Sequence, residues 1–180
     1  MRPVRSLLIA VVGVVLLAGA RPTAWNEQFP RGLMSAPDPK VSRSCTIETR
    51  PLSFGVYDEF APADKDAVGQ IIYTCENGNG PGTRAKPEEQ GIRIEMAQGS
   101  SNSFAPRHML GLEGGLEYNI YLDATRRTVW GTGEGPTQVY IDTHPPNRTS
   151  VVVPAFGRIF ARQDVMAGPY ADNVPVRILF

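Results

Sequence analysis

From Val41 onward, apolar and polar residues alternate in short runs. In Asp172-Asn173-Val174-Pro175-Val176-Arg177-Ile178-Leu179-Phe180, residues Val174, Val176, Ile178 and Phe180 fall on one face. Asn173, Arg177 and Leu179 fall on the other, which is the period of two of a half-buried β-strand. Gln70 to Cys75 puts Ile71, Tyr73 and Cys75 on one face, and Gly91 to Met96 turns Ile92, Ile94 and Met96 inward. Leu116 to Asp123 alternates again, with Leu116, Tyr118, Ile120 and Leu122 inward. Shorter strands are predicted at Cys45–Thr49 and Leu52–Tyr57, with others around Thr128–Trp130, Gln138–Asp142, Ser150–Val153 and Phe156–Ile159. No segment carries a helical period. Many short strands divided by turn signals predict an all-β fold, a β-sandwich.

The strand that closes the sequence ends on an inward-facing aromatic with no turn, charged tail or further strand behind it. Such a sheet keeps an unpaired edge that soluble proteins normally blunt or cover. Either an earlier part of the chain closes that edge or another molecule does, and the function expected of the protein turns on which. Two stretches interrupt the pattern. Arg21 to Lys40 carries Pro22, Pro30, Pro37 and Pro39 and no regular period, as an extended leader would. Glu76 to Gln90 is polar and rich in Gly and Pro, the composition of a long surface loop.

The 180 residues, 42% of them hydrophobic, suffice for one packed domain and not for two large ones. A formal net charge of zero leaves no electrostatic footprint for nucleic acid. The N-terminus reads as a secretory signal peptide over residues 1–20. Arg2 and Arg5 precede an apolar run from Leu7 to Leu17, and Ala18-Gly19-Ala20 has the form of a cleavage site. The alternative, a membrane anchor, needs an apolar run of about 20 residues. No later segment is long and apolar enough to span a membrane. Export places Cys45 and Cys75 in an oxidising compartment, where an even pair predicts a disulfide. A metal site or reactive thiol would need partners, and His108 and His144 stand at no zinc-like spacing from either cysteine.

The remaining motifs point to no chemistry. Gly131-Thr132-Gly133-Glu134-Gly135 contains a G-x-G, yet no helix pattern follows to cradle a phosphate, so a glycine-rich hairpin is expected. Ser53, Ser100 and Ser150 lack a nucleophile-elbow setting, and neither histidine has an acidic partner in a recognisable triad arrangement. Asp58, Asp64 and Asp66 lack the spacing and bidentate Glu of a calcium loop and read as a solvated turn. Asn147-Arg148-Thr149 matches a glycosylation sequon, a frequent chance match. Trp130 reads as a buried sandwich aromatic in preference to an exposed sugar platform, Tyr118 as core, and Tyr121 as a residue at an interface. No catalytic residue, cofactor or metal is expected, and the protein is not expected to be an enzyme.

Leu52-Ser53-Phe54-Gly55-Val56-Tyr57-Asp58, with Gly69-Gln70-Ile71 running to Cys75, resembles the opening of a spore coat protein U domain. So do Gln98-Gly99-Ser100-Ser101, Arg107-His108-Met109, Leu116-Glu117-Tyr118-Asn119-Ile120-Tyr121 and Trp130-Gly131. Phe156-Gly157-Arg158-Ile159, Gln163, Ala167-Gly168-Pro169-Tyr170-Ala171-Asp172 and the final strand complete the resemblance, which covers Ser44 to Phe180. It implies an incomplete immunoglobulin-like sandwich lacking its last strand, as in subunits of archaic chaperone–usher pili. A periplasmic chaperone, an outer-membrane usher and neighbouring subunits are the implied partners, with passage through the periplasm to the cell surface and a role in adhesion or biofilm.

On that reading residues 21–40 are the leader and 41–180 the domain. The strand-acceptor edge and groove is formed by Val174, Val176, Ile178 and Phe180, above a core of Ile92, Ile94, Leu116, Tyr118 and Ile120. Trp25, Phe29 and Leu33 mark the candidate donor segment, although the apolar residues there, Met34 included, do not alternate and its prolines would interrupt a ladder. Pro175 removes one backbone donor from the acceptor strand, and the Glu76–Gln90 loop is longer than the resemblance leads one to expect. Two other readings stay open. One is a self-complemented spore-coat or extracellular-matrix protein. The other is an adhesin-type module that binds carbohydrate or a surface through the Glu76–Gln90 loop.

Overall fold

The computed structural model describes residues 5–7, 43–77 and 91–180. Trp25, Phe29 and Leu33, the leader, and the Glu76–Gln90 loop beyond Asn77 lie outside the described residues.

The strands, in chain order, are β1 (Arg5–Leu7), β2 (Arg43–Arg50), β3 (Gly55–Tyr57), β4 (Lys65–Asn77) and β5 (Ile92–Met96). They continue with β6 (Arg107–Leu110), β7 (Gly115–Tyr121), β8 (Tyr140–Asp142), β9 (Ser150–Ile159) and β10 (Val176–Leu179). A 3-10 turn, Gly99–Ser101, lies between β5 and β6. One sheet has the order β2-β4-β9-β7-β6 and the other β10-β5-β8, and all the ladders are antiparallel. No helix among the described residues is long and apolar enough to cross a membrane.

Alternation puts one face of each sheet into a shared core. Ile71 and Tyr73 of β4, Leu116, Tyr118 and Ile120 of β7, and Val153 and Ile159 of β9 meet Ile92, Ile94 and Met96 of β5 and Val176 of β10. Trp130 lies at 0% exposure with its indole N–H donating to the Ile94 carbonyl at 3.0 Å, so it is a core residue and no sugar platform. Tyr121 is also buried, not free at a surface. The protein is an all-β, immunoglobulin-like sandwich, and Cys45 and Cys75 face each other across β2 and β4 as its disulfide, with Cα atoms 4.1 Å apart.

Several strand boundaries differ from those the pattern predicts. The two strands expected at Ser150–Val153 and Phe156–Ile159 are one, β9, which passes through Pro154. β7 pairs with β9 only over Phe156–Ile159, so one side of Pro154 has no ladder to interrupt. Only the end of Leu52–Tyr57 is strand, because Leu52 and Phe54 turn into the core against Gly157. A Cβ at Gly157 would collide with Leu52 and stand 2.7 Å from Phe54 Cζ. Thr128–Trp130 forms isolated bridges in place of a strand. Leu122, one residue past β7, is half-buried. Phe180, expected inward, is 56% exposed, because the β10–β5 ladder ends one residue earlier at Leu179 opposite Arg93.

Candidate strand-acceptor edge

β10 lies at the margin of the small sheet. β5 is its one strand neighbour among the described residues. Its side chains follow the alternation, with Val174 at 0% exposure, Val176 at 2% and Ile178 half-buried against the core. Arg177 points to the outer face, where it approaches Glu95 at 4.0 Å, and Glu95 also pairs with Arg93 at 2.8 Å.

The hydrogen-bonding phase of β10 follows from one contact at its base. The Ala97 N–H donates to the Pro175 carbonyl at 2.9 Å, so the backbone polar groups of residue 175 point toward β5. In an antiparallel ladder these groups reverse direction at each residue. With Arg177 opposite Glu95 and Leu179 opposite Arg93, those two residues also face β5. The N–H and C=O groups of Val176 and Ile178 therefore point away from β5, on a side where Val176 is covered and Ile178 half-buried. β5 has the complementary phase, since the Met96 N–H donates to Gly131 on its other side at 3.2 Å. The donor that Pro175 lacks is thus missing from the inner ladder, and the outer edge keeps its full set. The residues whose side chains enter the core are the ones whose backbone faces outward.

β3 belongs to neither sheet and pairs with β1, Tyr57 opposite Arg5 and Gly55 opposite Leu7. The Tyr57 hydroxyl holds the far end of the sandwich, donating to the Phe160 carbonyl at 3.0 Å and accepting from the Gln163 N–H at 2.9 Å.

The base of β10 rests on a buried polar network that sequence reasoning missed. Arg107 is at 0% exposure. Its guanidinium donates to the carbonyls of Ala97 (3.1 and 2.9 Å) and Trp130 (2.7 Å) and to Asn119 Oδ1 (2.7 Å). Phe104 stacks 4.8 Å away. Burial lowers the Arg107 pKa to about 10, partly offset by Tyr118 and Asp172 nearby, so it remains charged at neutral pH. Asp172 accepts from the Tyr118 hydroxyl at 2.5 Å and from the Ser100 N–H at 2.8 Å. Burial, then the Asp172 carboxyl, push the Tyr118 phenol well above its usual range. Arg107, Asn119 and Asp172 all fall in segments that carry the family resemblance, which was the one available signal. Alternation alone assigns no polar residue to a core.

The other motifs resolve as structure. Thr137 closes the Gly131–Gly135 loop, its hydroxyl accepting from the Gly133 N–H at 3.1 Å and donating to the Glu134 carbonyl at 2.8 Å. Asp64 and Asp66 face Arg158 at 3.3 and 2.8 Å, and Asp66 also faces Arg126 at 3.2 Å. The hydrogen bond from Arg158 lowers the Asp66 pKa. Asp58 caps its own turn by accepting from the Phe60 N–H at 3.0 Å. His108 stands 3.6 Å from Glu117 on the neighbouring strand. No group of three or more His, Cys, Asp or Glu residues able to hold a metal occurs among the described residues.

The family model of the Spore Coat Protein U domain matches residues 32–177. None of the curated proteins matches the chain. Among solved structures, the chain is similar to one from the CsuC–CsuE chaperone–tip adhesion subunit pre-assembly complex of the archaic chaperone–usher Csu pili of Acinetobacter baumannii. The two are 18% identical with a TM-score of 0.49, and the similarity covers 77% of this chain and 40% of that one.

Proposed function

The chain belongs to the Spore Coat Protein U domain family, and from that premise we propose that it is a structural subunit of a surface pilus or fibre, completed by a strand from another molecule. Residues 1–20 are a signal peptide removed on export, 21–40 a leader, and 41–180 the assembling domain. A periplasmic chaperone lends the missing strand first and hands the subunit to an outer-membrane usher. A neighbouring subunit then replaces it. Adhesion or biofilm formation is the cellular role of the fibre, and the subunit performs no chemistry.

The observation that carries this reading is the outer edge of β10. Val176 and Ile178 direct their backbone groups away from β5, their one strand neighbour among the described residues, while their side chains and that of Val174 line the core. Strand addition to an open edge draws affinity from main-chain hydrogen bonds and specificity from alternate side chains. Burial of the incoming apolar side chains adds about 25 cal/mol per Å². Phe180 at the open end offers apolar surface to the same visitor.

The test is coexpression with a periplasmic chaperone encoded beside an usher. A one-to-one complex is expected, and Ile178→Lys should abolish it by placing a charge among the inward side chains. A complex that survives this substitution, with the chain folded, overturns the proposed edge.

The self-complemented reading has one observation in its favour, the pairing of Arg5–Leu7 with β3 inside the same chain. It expects a chain starting at Arg21 to unfold more readily than the full-length one. Under donor-strand complementation, removing residues 1–20 costs nothing once a partner strand is supplied.

A further inference from the structure

A strand of four residues with one strand neighbour among the described residues is not held in place by its own ladder. What fixes β10 is the segment that leads into it. Ala171 is bridged to Leu110 at the end of β6 by two backbone hydrogen bonds, 2.8 and 3.0 Å, which attach it to the large sheet. Pro175, four residues on, is already bonded to Ala97, one residue past β5 of the small sheet. The chain crosses from one sheet to the other between these two points, and Asp172 turns inward at that crossing.

Asp172 is 3% exposed. One carboxyl oxygen takes the Tyr118 hydroxyl of β7 and the other the Ser100 N–H of the 3-10 turn, so the side chain ties the crossing to two separate elements. Gly99, with φ +71°, makes room for it, since a Cβ there would collide with the carboxyl. Val174, fully buried, follows two positions later, and β10 begins at Val176.

We propose that Asp172 is a positioning residue for the acceptor edge. By clamping the crossing it sets the height and rotation at which Val176 and Ile178 present their backbone to an incoming strand. This rests on the strand-acceptor reading above, yet the clamp can be measured without a partner.

The experiment compares the full chain with Asp172→Ala, Asp172→Asn and Val153→Ala, the last a core change on β9 away from the crossing. Amide hydrogen exchange is followed under native conditions. Binding is followed with a labelled synthetic peptide of about nine residues, valine at every second position and threonine or lysine between. Asp172→Ala should speed exchange at Arg177 and Leu179 and weaken peptide binding, each about tenfold. Asparagine can accept from the Ser100 N–H and donate to the Tyr118 oxygen, so Asp172→Asn should restore both to within about threefold. Val153→Ala should lower the melting temperature and move neither readout.

Unchanged exchange at Arg177 and Leu179 in Asp172→Ala overturns the proposal, and so does an equal effect from Val153→Ala. Should the unsubstituted chain ignore the peptide while Asp172→Ala still loosens β10, the clamp stands and the acceptor reading falls.

Discussion

The Tyr118 hydroxyl donates to Asp172 inside the sandwich, and Tyr73 donates to Asp142 across the two sheets at 2.5 Å. Burial raises both phenols above the ordinary tyrosine value, and the neighbouring carboxyl adds to the effect. Once pH passes about 10, tyrosine in the unfolded chain ionises while these two stay protonated. The native state then binds more protons, so stability present below pH 10 is lost as pH rises. Tyr118→Phe should cost about 1–3 kcal/mol at neutral pH, since it leaves Asp172 short of a partner, and should flatten the alkaline loss. Urea unfolding at neutral and alkaline pH checks both effects. Gly157→Ala forces a methyl group against Leu52 and Phe54 and should cost about 1–3 kcal/mol in the same assay.

At the scale of elements, the disulfide joins directly opposed residues of β2 and β4 across a sequence separation of 30. Reducing it should lower unfolding stability by about 3–4 kcal/mol, because the unfolded chain regains the freedom of that loop. Denaturant unfolding with and without reductant measures the difference. Alternation made the faces of β4, β5 and β7 legible, since Ile71, Tyr73, Ile92, Ile94, Leu116 and Tyr118 needed only a period of two to be placed inward. It made Val174, Val176 and Ile178 legible in the same way. It did not reveal which side of β10 lacks the Pro175 donor, because that depends on the phase of a ladder with a strand some eighty residues earlier. Nor did it reveal the pocket of Arg107, whose acceptors are two carbonyls and an amide brought together only by the fold. Phe180 kept the right parity but ran past the end of its partner strand, so parity did not bury it.

At the scale of the whole molecule, two sheets share one core, and under the proposed function the margin of the small sheet at β10 takes an added strand. Sandwiches that keep such a margin risk uncontrolled edge-to-edge association, which a chaperone's strand would prevent. The chain starting at Arg21 is therefore expected to self-associate when purified alone and to stay monomeric when an alternating apolar peptide is supplied, as sedimentation would report. The most direct measurement is residue-resolved amide exchange on that chain, free and with the peptide bound. The account predicts rapid exchange at Val176 and Ile178 beside slower exchange at Arg177 and Leu179 in the free chain, with Val176 and Ile178 becoming protected on binding. Slow exchange at Val176 and Ile178 in a free, folded monomer would mean that the edge is already paired, and would contradict it.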